Sequence, residues 1–166
     1  LYKKATDMAL AAKKLQVSVC GGETNPLVAD IDALLGTIAI EEEDQATAIK
    51  YMAGAVAVTA LSLGMKHPRT AEKMLQLARA YNSPKFPKKS AHEQTAIEYY
   101  NMAIDVFRSS RCSADLVASA LNSVASIYMD RKDYRMSIRL LVGCLEEYSK
   151  TGESGDVNGF CWDTIQ

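Results

Sequence analysis

The stretch Ala120-Leu121-Asn122-Ser123-Val124-Ala125-Ser126-Ile127-Tyr128 decides the fold, because it recurs in weaker form at two earlier places in the chain. With Pro26, Pro68 and Asp115 in register, the three copies align small or apolar residues at four positions: Ala29 with Ala71 and Ala118, Leu35 with Leu77 and Val124, Gly36 with Ala78 and Ala125, and Ile38 with Ala80 and Ile127. The copies are separated by 42 and 47 residues. A repeat of this length predicts stacked helical hairpins rather than one closed globule.

Each copy has the pattern of a helix, a short turn and a second helix. In the third copy, apolar residues recur every three or four positions over 115–129 and again over 134–148, and the polar residues 130–133 separate them. Asn25-Pro26 is a typical helix start, with Asn as the cap and Pro at the first helical position. The sequence therefore predicts an all-α fold, a right-handed superhelix of antiparallel helical hairpins.

The repeats are expected to cover residues 1–150. The predicted parts are the second helix of a truncated repeat at 1–17, a repeat at 25–66, a repeat at 67–113 with a loop insertion at 82–92, and a repeat at 114–150. Residues 151–166 have the composition of a linker or the start of a further repeat. Neither end resembles the polar capping repeat that a free-standing solenoid requires. We therefore expect the chain to be part of a longer protein.

The insertion in the middle repeat contains Pro84, Pro87 and three lysines. Two prolines cannot continue either neighbouring helix, and insertions in repeat proteins map to loops at one edge of the stack. With Phe86 as its only large apolar residue, the segment is expected to be an exposed loop with its helix resuming near His92. We also expect that a four-residue turn like Asp130–Asp133 can replace it.

Composition and charge exclude several classes of protein. A hydrophobic content of 48% excludes a disordered chain, and a formal net charge of −1 gives no general attraction to nucleic acid or to an anionic membrane. Only the middle repeat, 67–113, is basic, with eight Lys and Arg against four Asp and Glu. The longest low-charge run, Met52–Met65, is too short to span a bilayer, so no membrane insertion is expected.

The chemistry-bearing residues do not form a recognisable catalytic or metal-binding motif. The four cysteines (Cys20, Cys112, Cys144 and Cys161) lack metal-ligand spacing and are typical of free thiols in a reducing compartment, which favours the cytoplasm. His67 and His92, the two histidines, stand at helix entries. The acidic run 41–44 lacks the alternating oxygen ligands of a calcium loop. No nucleotide-binding or zinc-protease motif is present. We therefore expect no catalytic residue, no metal site and no cofactor.

The pattern of small and large residues resembles the tetratricopeptide repeat, which has small residues where its two helices cross. The corresponding positions are Gly36, Ala48 and Ala55 in the first repeat, Ala78, Ala96 and Ala103 in the second, and Ala125, Ser137 and Cys144 in the third. The first repeat departs from the pattern, since Asp32 and Ala39 stand where bulk is expected. The 42-residue period, the His67-Pro68 entry, the stretch 120–128 and the residues Leu1-Tyr2-Lys3-Lys4-Ala5 further resemble the kinesin-light-chain subclass.

This resemblance implies that the first helix of each hairpin lines a concave groove. The register places Asp30, Ala33, Thr37 and Ile40 there from the first repeat. The peptide-binding residues expected from the other two repeats are Glu72, Leu75, Arg79 and Asn82, then Ser119, Asn122, Ser126 and Met129. Ala33 and Thr37 cannot supply the first half of the Lys/Asn/Arg carboxylate clamp of the chaperone-binding members. The mixture of polar and apolar groups suits an extended peptide of partly acidic and partly apolar character.

The resulting interpretation is a non-enzymatic protein-interaction module of a larger scaffold or adaptor, whose partner is a protein or peptide. Two alternatives remain open. The repeats are the targeting or regulatory arm of a larger enzyme, or they are a structural oligomerisation segment that associates end to end. Adjacent kinase, nucleotide-hydrolase or coiled-coil sequence would separate the first two, and a mass that depends on concentration would indicate the third.

Overall fold

The computed structural model describes residues 2–20, 22, 24–110 and 114–150. Over these residues the chain forms seven α-helices and no strand. In chain order they are α1 (Tyr2–Cys20), α2 (Pro26–Glu41), α3 (Gln45–Leu63), α4 (Pro68–Tyr81), α5 (Ser90–Ser109), α6 (Ala114–Asp130) and α7 (Tyr134–Lys150). The predicted all-α fold of helical hairpins is confirmed. The expected linker at 151–166 lies outside the described residues.

The helices belong to two compact units, which divide inside α5 between Tyr99 and Tyr100. In the first unit, α2 packs against α1, α3 and α4, and α3 also packs against α4. In the second unit, α6 packs along α7. A short turn joins α2 to α3 and another joins α6 to α7, so each pair forms an antiparallel hairpin.

Small side chains let the helices approach closely. All nine positions where the sequence predicts a small residue at a helix crossing are buried: Gly36, Ala48, Ala55, Ala78, Ala96, Ala103, Ala125, Ser137 and Cys144. At Gly36 the helices leave no room for a side chain, because a Cβ atom there would lie 2.6 Å from Cγ of Met52 and 3.3 Å from the carbonyl oxygen of Ala48. Proteins are packed too densely to absorb such an overlap without movement. The burial of all nine residues agrees with the sequence register.

Two of the inter-helix turns have the same hydrogen bonds. Asp44 donates its backbone N–H to the carbonyl of Ala39, and Asp133 donates its own to Tyr128, both at 2.9 Å. Both aspartates then cap the next helix: Asp44 Oδ1 accepts from Thr47 N, and Asp133 Oδ1 accepts from Met136 N, each at 3.1 Å. The hydrogen bond to Thr47 lowers the pKa of Asp44 below its ordinary value. Identical turns in the first and third repeats are the structural counterpart of the sequence repeat.

The N-termini of α2 and α4 are capped in the same way. Asn25 Oδ1 accepts a 2.8 Å hydrogen bond from Leu27 N, and His67 Nδ1 accepts one of 3.1 Å from Arg69 N. In both helices a proline follows the cap, where its missing N–H leaves no helix hydrogen bond unmade. His67 is therefore a helix cap.

The middle-repeat loop is exposed over most of its length, as expected, but Phe86 anchors it to the rest of the chain. Phe86 is only 5% exposed and packs in a cluster with Ala39, Ala48 and Ile40. Lys85 Nζ lies 2.5 Å from Glu41 Oε2, and this hydrogen bond raises the pKa of the lysine. The helix also resumes earlier than expected, at Ser90. The sequence favoured an exposed loop because its prolines and lysines outnumber its one aromatic residue, yet that residue fills the space beside the small Ala39.

Helix α3 is long and apolar enough, by length and composition alone, to cross a membrane, with 19 residues and a mean hydropathy of 1.4. The sequence analysis judged the apolar run Met52–Met65 too short to span a bilayer. The helix that contains most of this run is longer, because it begins at Gln45. One such helix is weak evidence, since core helices of soluble proteins share this composition. Ala48, Met52 and Ala55 of α3 are buried against the rest of the chain.

Candidate peptide-binding surface

In the first unit, α4 presents a partly polar outer face. Glu72 and Arg79 are exposed and stand two turns apart on the helix, and Asn82, its C-cap, is half-buried. Leu75 does not share this exposure. It is 3% exposed and belongs to the core, so we remove it from the set of residues expected to contact a ligand. The sequence register placed Leu75 on the first helix of its repeat. It could not show that other parts of the chain cover this side chain.

In the second unit, α6 has a clearly two-sided character. Its buried face consists of Val117, Ala118, Ala120, Leu121, Val124, Ala125 and Ile127. Its other face carries the four residues that the sequence predicted: Ser126 is exposed, and Ser119, Asn122 and Met129 are half-buried. This accessible stripe is therefore polar over three of its four positions and ends on a thioether.

Asn122 is one of four described residues, with Thr6, Gln76 and Ser137, that have a covered side-chain oxygen without a hydrogen-bond partner. Its amide oxygen, Oδ1, is covered from solvent and accepts no hydrogen bond from any described residue. Leaving a buried acceptor unpaired costs roughly 1–3 kcal/mol.

The first repeat contributes less to such a surface than the register suggests. Asp30 Oδ1 lies 2.6 Å from Lys73 Nζ, and Asp30 Oδ2 lies 2.8 Å from Arg69 Nη2. This carboxylate is thus occupied by two cations of α4. Ala33 is buried, and the hydroxyl of the exposed Thr37 donates to the carbonyl of Ala33 at 3.0 Å.

The positive charge of the middle repeat is largely engaged within the chain. Arg69 and Lys73 pair with Asp30, and Lys85 pairs with Glu41. Arg108 donates from Nε and Nη2 to Oε1 of Glu147, at 3.1 and 2.8 Å. Each of these acids belongs to a neighbouring repeat, close to one period away in sequence. Counting charges within a single repeat therefore overestimates what a ligand would meet.

The other chemistry-bearing residues have structural surroundings. His92 Nδ1 lies 3.0 Å from Gln45 Nε2, and its ring packs edge-on against Tyr81. Burial, followed by the nearby Tyr99 phenol, raises the pKa of Tyr81. Cys144 is buried with its thiol directed to the carbonyl of Ala118 at 3.4 Å. Within the described residues, no group of three His, Cys, Asp or Glu side chains is placed to hold a metal ion.

Solved structures with the same arrangement of helices are known. BtubC (BKLC) from P. vanneervenii matches 95% of this chain with a TM-score of 0.76 at 15% sequence identity. The fold is that of a kinesin-light-chain-like tetratricopeptide repeat. The nearly identical TPR-like repeats of a putative kinesin light chain from Podosopora anserina match 92% of this chain, with a TM-score of 0.72 at 17% identity.

The tetratricopeptide-like chain spans 61% of the BtubC structure and 70% of the kinesin light chain structure. No family model matches its sequence, and no curated protein matches it either. At these identities the likeness establishes the fold alone. The predicted resemblance to the kinesin-light-chain subclass is confirmed at the level of the fold.

Two interactions of this tetratricopeptide-like chain were missed by sequence reasoning. Lys13 Nζ lies 2.6 Å from Asp32 Oδ1, and Asp32 is buried where the other repeats have Met74 and Leu121. The sequence showed that Asp32 breaks the repeat pattern. It did not show that Lys13 is the partner of Asp32, because Lys13 lies in the helix of a different hairpin. The anchoring of Phe86 was missed for the reason given above.

Proposed function

We propose that this chain is a non-enzymatic protein-interaction module of a larger scaffold or adaptor, and that the accessible faces of α4 and α6 bind extended peptide segments. The kinesin-light-chain-like fold supports a role in protein interaction. The absence of a candidate metal cluster among the described residues, together with the structural surroundings of His67 and His92, gives no support to a catalytic alternative.

The observation that carries this proposal is the accessible stripe of α6, which consists of Ser119, Asn122, Ser126 and Met129 and is polar at three of its four positions. An extended peptide presents a backbone N–H and a backbone C=O whatever its side chains, and a carboxamide is able to bind both. Asn122 stands between Ser119 and Ser126 on the accessible stripe of α6. This arrangement favours binding through the peptide backbone, with the neighbouring Met129 available for an apolar side chain.

A preference for partly acidic peptides is the finer part of the proposal. Arg79 is exposed in the last turn of α4, and its planar guanidinium is able to hold a carboxylate through two parallel hydrogen bonds. We propose a modest preference for acidic residues, to which this guanidinium contributes. Few charges on an accessible surface imply an affinity on the order of micromolar that weakens with salt.

The test is a peptide array probed with the purified chain, followed by fluorescence anisotropy on the best peptides. Peptides that combine Asp or Glu with a large apolar residue are expected to bind better than the same peptides with Lys in place of the acids. Arg79→Glu is expected to weaken acidic peptides at least tenfold. Asn122→Ala is expected to weaken all extended peptides by a similar factor, since it removes a contact to the backbone.

The matched control is Arg139→Glu, which makes the same charge change at an exposed arginine on α7. It is expected to leave binding unchanged. Equal loss for Arg79→Glu and Arg139→Glu would show that net charge alone governs binding, and an array without preference for acidic sequences would contradict the assigned ligand.

We propose a cytoplasmic location on the basis of cysteine usage. Cys144 is a buried thiol that forms no disulfide, and the side chains of the other three cysteines lie outside the described part of the chain. Immunofluorescence of the tagged protein with and without selective permeabilisation of the plasma membrane tests this location directly.

A further inference from the structure

Two arginines lie one turn apart on the outward face of α7. Arg135 and Arg139 are both exposed, and each stands two positions from Ser137, which is buried at the helix crossing. Because a helix turns by about 100° per residue, this spacing directs both side chains away from the face that packs against α6. Lys132, in the turn before α7, is a third exposed cation. We call Lys132, Arg135 and Arg139 the basic corner.

Nearby acids offset only part of this charge. Residues 130–139 contain two aspartates against four cations. The carboxylate of Asp133 caps α7 by accepting from Met136 N at 3.1 Å. The fourth cation, Arg131, lies over an aromatic ring, with its Cζ atom 6.0 Å from the ring centroid of Tyr128. The start of α7 therefore keeps an excess of positive charge, and the three cations of the basic corner are accessible.

The basic corner is particular to the third repeat. The first repeat has the same turn and the same cap, but at the positions that match the three cations it has Glu43, Ala46 and Lys50. In the second repeat, alignment of the helix-crossing residues matches the two arginines with Gln94 and Glu98. Hairpins of this kind thus form without these cations, so the fold does not require them.

A neighbouring repeat would leave the basic corner open. Helix α4 packs against α3, yet Ala46 and Lys50, which match the two arginines, stay exposed. The face of α7 that a further helix would cover is a different one. It carries Ile138, which is 62% exposed, whereas the matching Ile97 of the second repeat is 4% exposed. The basic corner is therefore a surface of the repeat itself rather than a face on which repeats stack.

We propose that the basic corner binds a phosphorylated serine or threonine in an extended segment of a partner protein. The two arginines have Cβ atoms about 5–6 Å apart, the usual distance for residues one turn apart on a helix. A phosphate has three acceptor oxygens and nearly two negative charges, so it can accept hydrogen bonds from both guanidinium groups, whereas one arginine already fills a carboxylate. Lys132 adds a third positive charge. This site is separate from the faces of α4 and α6 and does not depend on their function.

The surrounding surface favours a phosphorylated segment over a membrane or a nucleic acid. The next two residues on this face are Val142 and Glu146, both exposed. Helices that lie on membranes combine basic residues with several large apolar ones, and this face offers a single valine. A nucleic acid backbone requires a longer row of cations, and Glu146, two turns after Arg139, would repel it. A single phosphate needs only the basic corner.

The probe is an array of peptides with phosphoserine or phosphothreonine at one fixed position among mixed neighbours. Two matching arrays have the unphosphorylated residue or Glu at that position. Fluorescence anisotropy with the whole chain follows for the best phosphopeptide and its two counterparts. The phosphopeptide is expected to bind at least tenfold more tightly than either counterpart, because hydrogen bonds between ionised partners are the stronger ones.

Arg139→Gln is expected to lower the affinity for the phosphopeptide at least tenfold. Arg139→Lys keeps the charge but loses the planar fork, so a smaller loss is expected. Lys50→Gln is the matched control, since it removes the same charge from the matching exposed position on α3. This variant and Arg79→Glu on α4 are expected to bind the phosphopeptide like the parent. Circular dichroism checks that each variant is folded, and Arg135→Gln provides a second loss-of-binding variant.

Each other occupant of the basic corner gives a result that overturns the proposal. Equal binding of the phosphopeptide and its Glu counterpart identifies a general surface for acidic segments. Equal loss in Arg139→Gln and Lys50→Gln shows that net charge governs binding. Vesicles that contain phosphatidylinositol bisphosphate, bound by the parent but not by Arg139→Gln and without binding of any phosphopeptide, identify a lipid headgroup. Binding of a single-stranded oligonucleotide in place of the phosphopeptides identifies a nucleic acid.

Discussion

Glu43 and Lys132 have the same backbone conformation, with φ of 61° at both residues, at equivalent positions of the α2–α3 and α6–α7 turns. Each donates its N–H to a carbonyl three residues earlier, Ile40 at 3.1 Å and Met129 at 2.9 Å. A left-handed conformation costs an L-residue roughly 1–2 kcal/mol. Since two side chains of opposite charge accept it at the same place, the packing of the hairpin, rather than a local preference, fixes the turn.

Glu43→Gly is expected to raise the free energy of unfolding by about 0.5–1 kcal/mol, because glycine relieves the left-handed strain while adding some entropy to the unfolded chain. Glu42→Gly is the control one residue earlier, where φ is −81° and no strain is relieved. It is expected to lower stability by up to about 1 kcal/mol. Urea denaturation of both variants measures the difference, and a lower midpoint for Glu43→Gly would contradict it.

Phe86→Ala is expected to destabilise the first unit by about 3 kcal/mol, because it empties a buried site beside Ala39 and Ala48. This replaces the expectation that the loop is dispensable. Lys89→Ala, an exposed change in the same loop, is expected to alter stability by less than about 0.5 kcal/mol. Chemical denaturation followed by circular dichroism tests the pair, and similar midpoints would mean that the loop carries little of the packing.

Lys13→Ala is expected to cost about 2–3 kcal/mol, because it leaves the buried carboxylate of Asp32 without its partner. Adding Asp32→Leu to Lys13→Ala is expected to recover most of that loss, since the other repeats have Met74 and Leu121 at this position. Asp32 also faces Gly54 of α3, where an added Cβ would lie 3.9 Å from its Oδ2. Thermal denaturation of the single and double variants decides the matter, and a double variant no more stable than Lys13→Ala would show that the site does not accept leucine.

Ala125→Leu is expected to lower stability by roughly 1–3 kcal/mol, because Ala125 is fully buried in the crossing of α6. Ser126→Leu adds a similar side chain at the next, exposed position and is expected to change stability by less than about 0.5 kcal/mol. If the two variants unfold at the same urea concentration, Ala125 does not lie at a close helix contact.

The parts of the fold that the sequence predicted are those set by local pattern. Helical spacing, the Asn25 cap, the helix start at His67-Pro68, and the small residues from Gly36 to Cys144 all follow from the chemistry of a few neighbouring residues. The interactions that it missed join residues of different helical hairpins, such as Lys13 with Asp32 and Phe86 with Ala39. Nothing in the composition of 82–89 distinguishes a buried Phe86 from an exposed one, because the space that it fills is made by the small Ala39 of another helix.

The candidate site was predictable to a similar degree. The 42- and 47-residue register brought Glu72, Arg79, Asn122 and Ser126 to accessible helix faces, since facing direction repeats with the helix. It could not show that Leu75 is covered, because burial depends on what the rest of the chain places against it. Nor could it show the unpaired oxygen of Asn122, which depends on a side-chain orientation.

The ion pairs of Asp30 with Arg69 and Lys73 also bear on how such a chain evolves. The register matches Asp30 with Glu72 and Ser119, Arg69 with Leu27 and Leu116, and Lys73 with Ile31 and Ala120. No other pair of hairpins in this register could therefore form this link. Hairpins that share a backbone are therefore not interchangeable, because each has charged residues that pair only with those of its own neighbour. After a duplication or shuffling of repeats, these surface charges would have to change before the new neighbours could form such ion pairs.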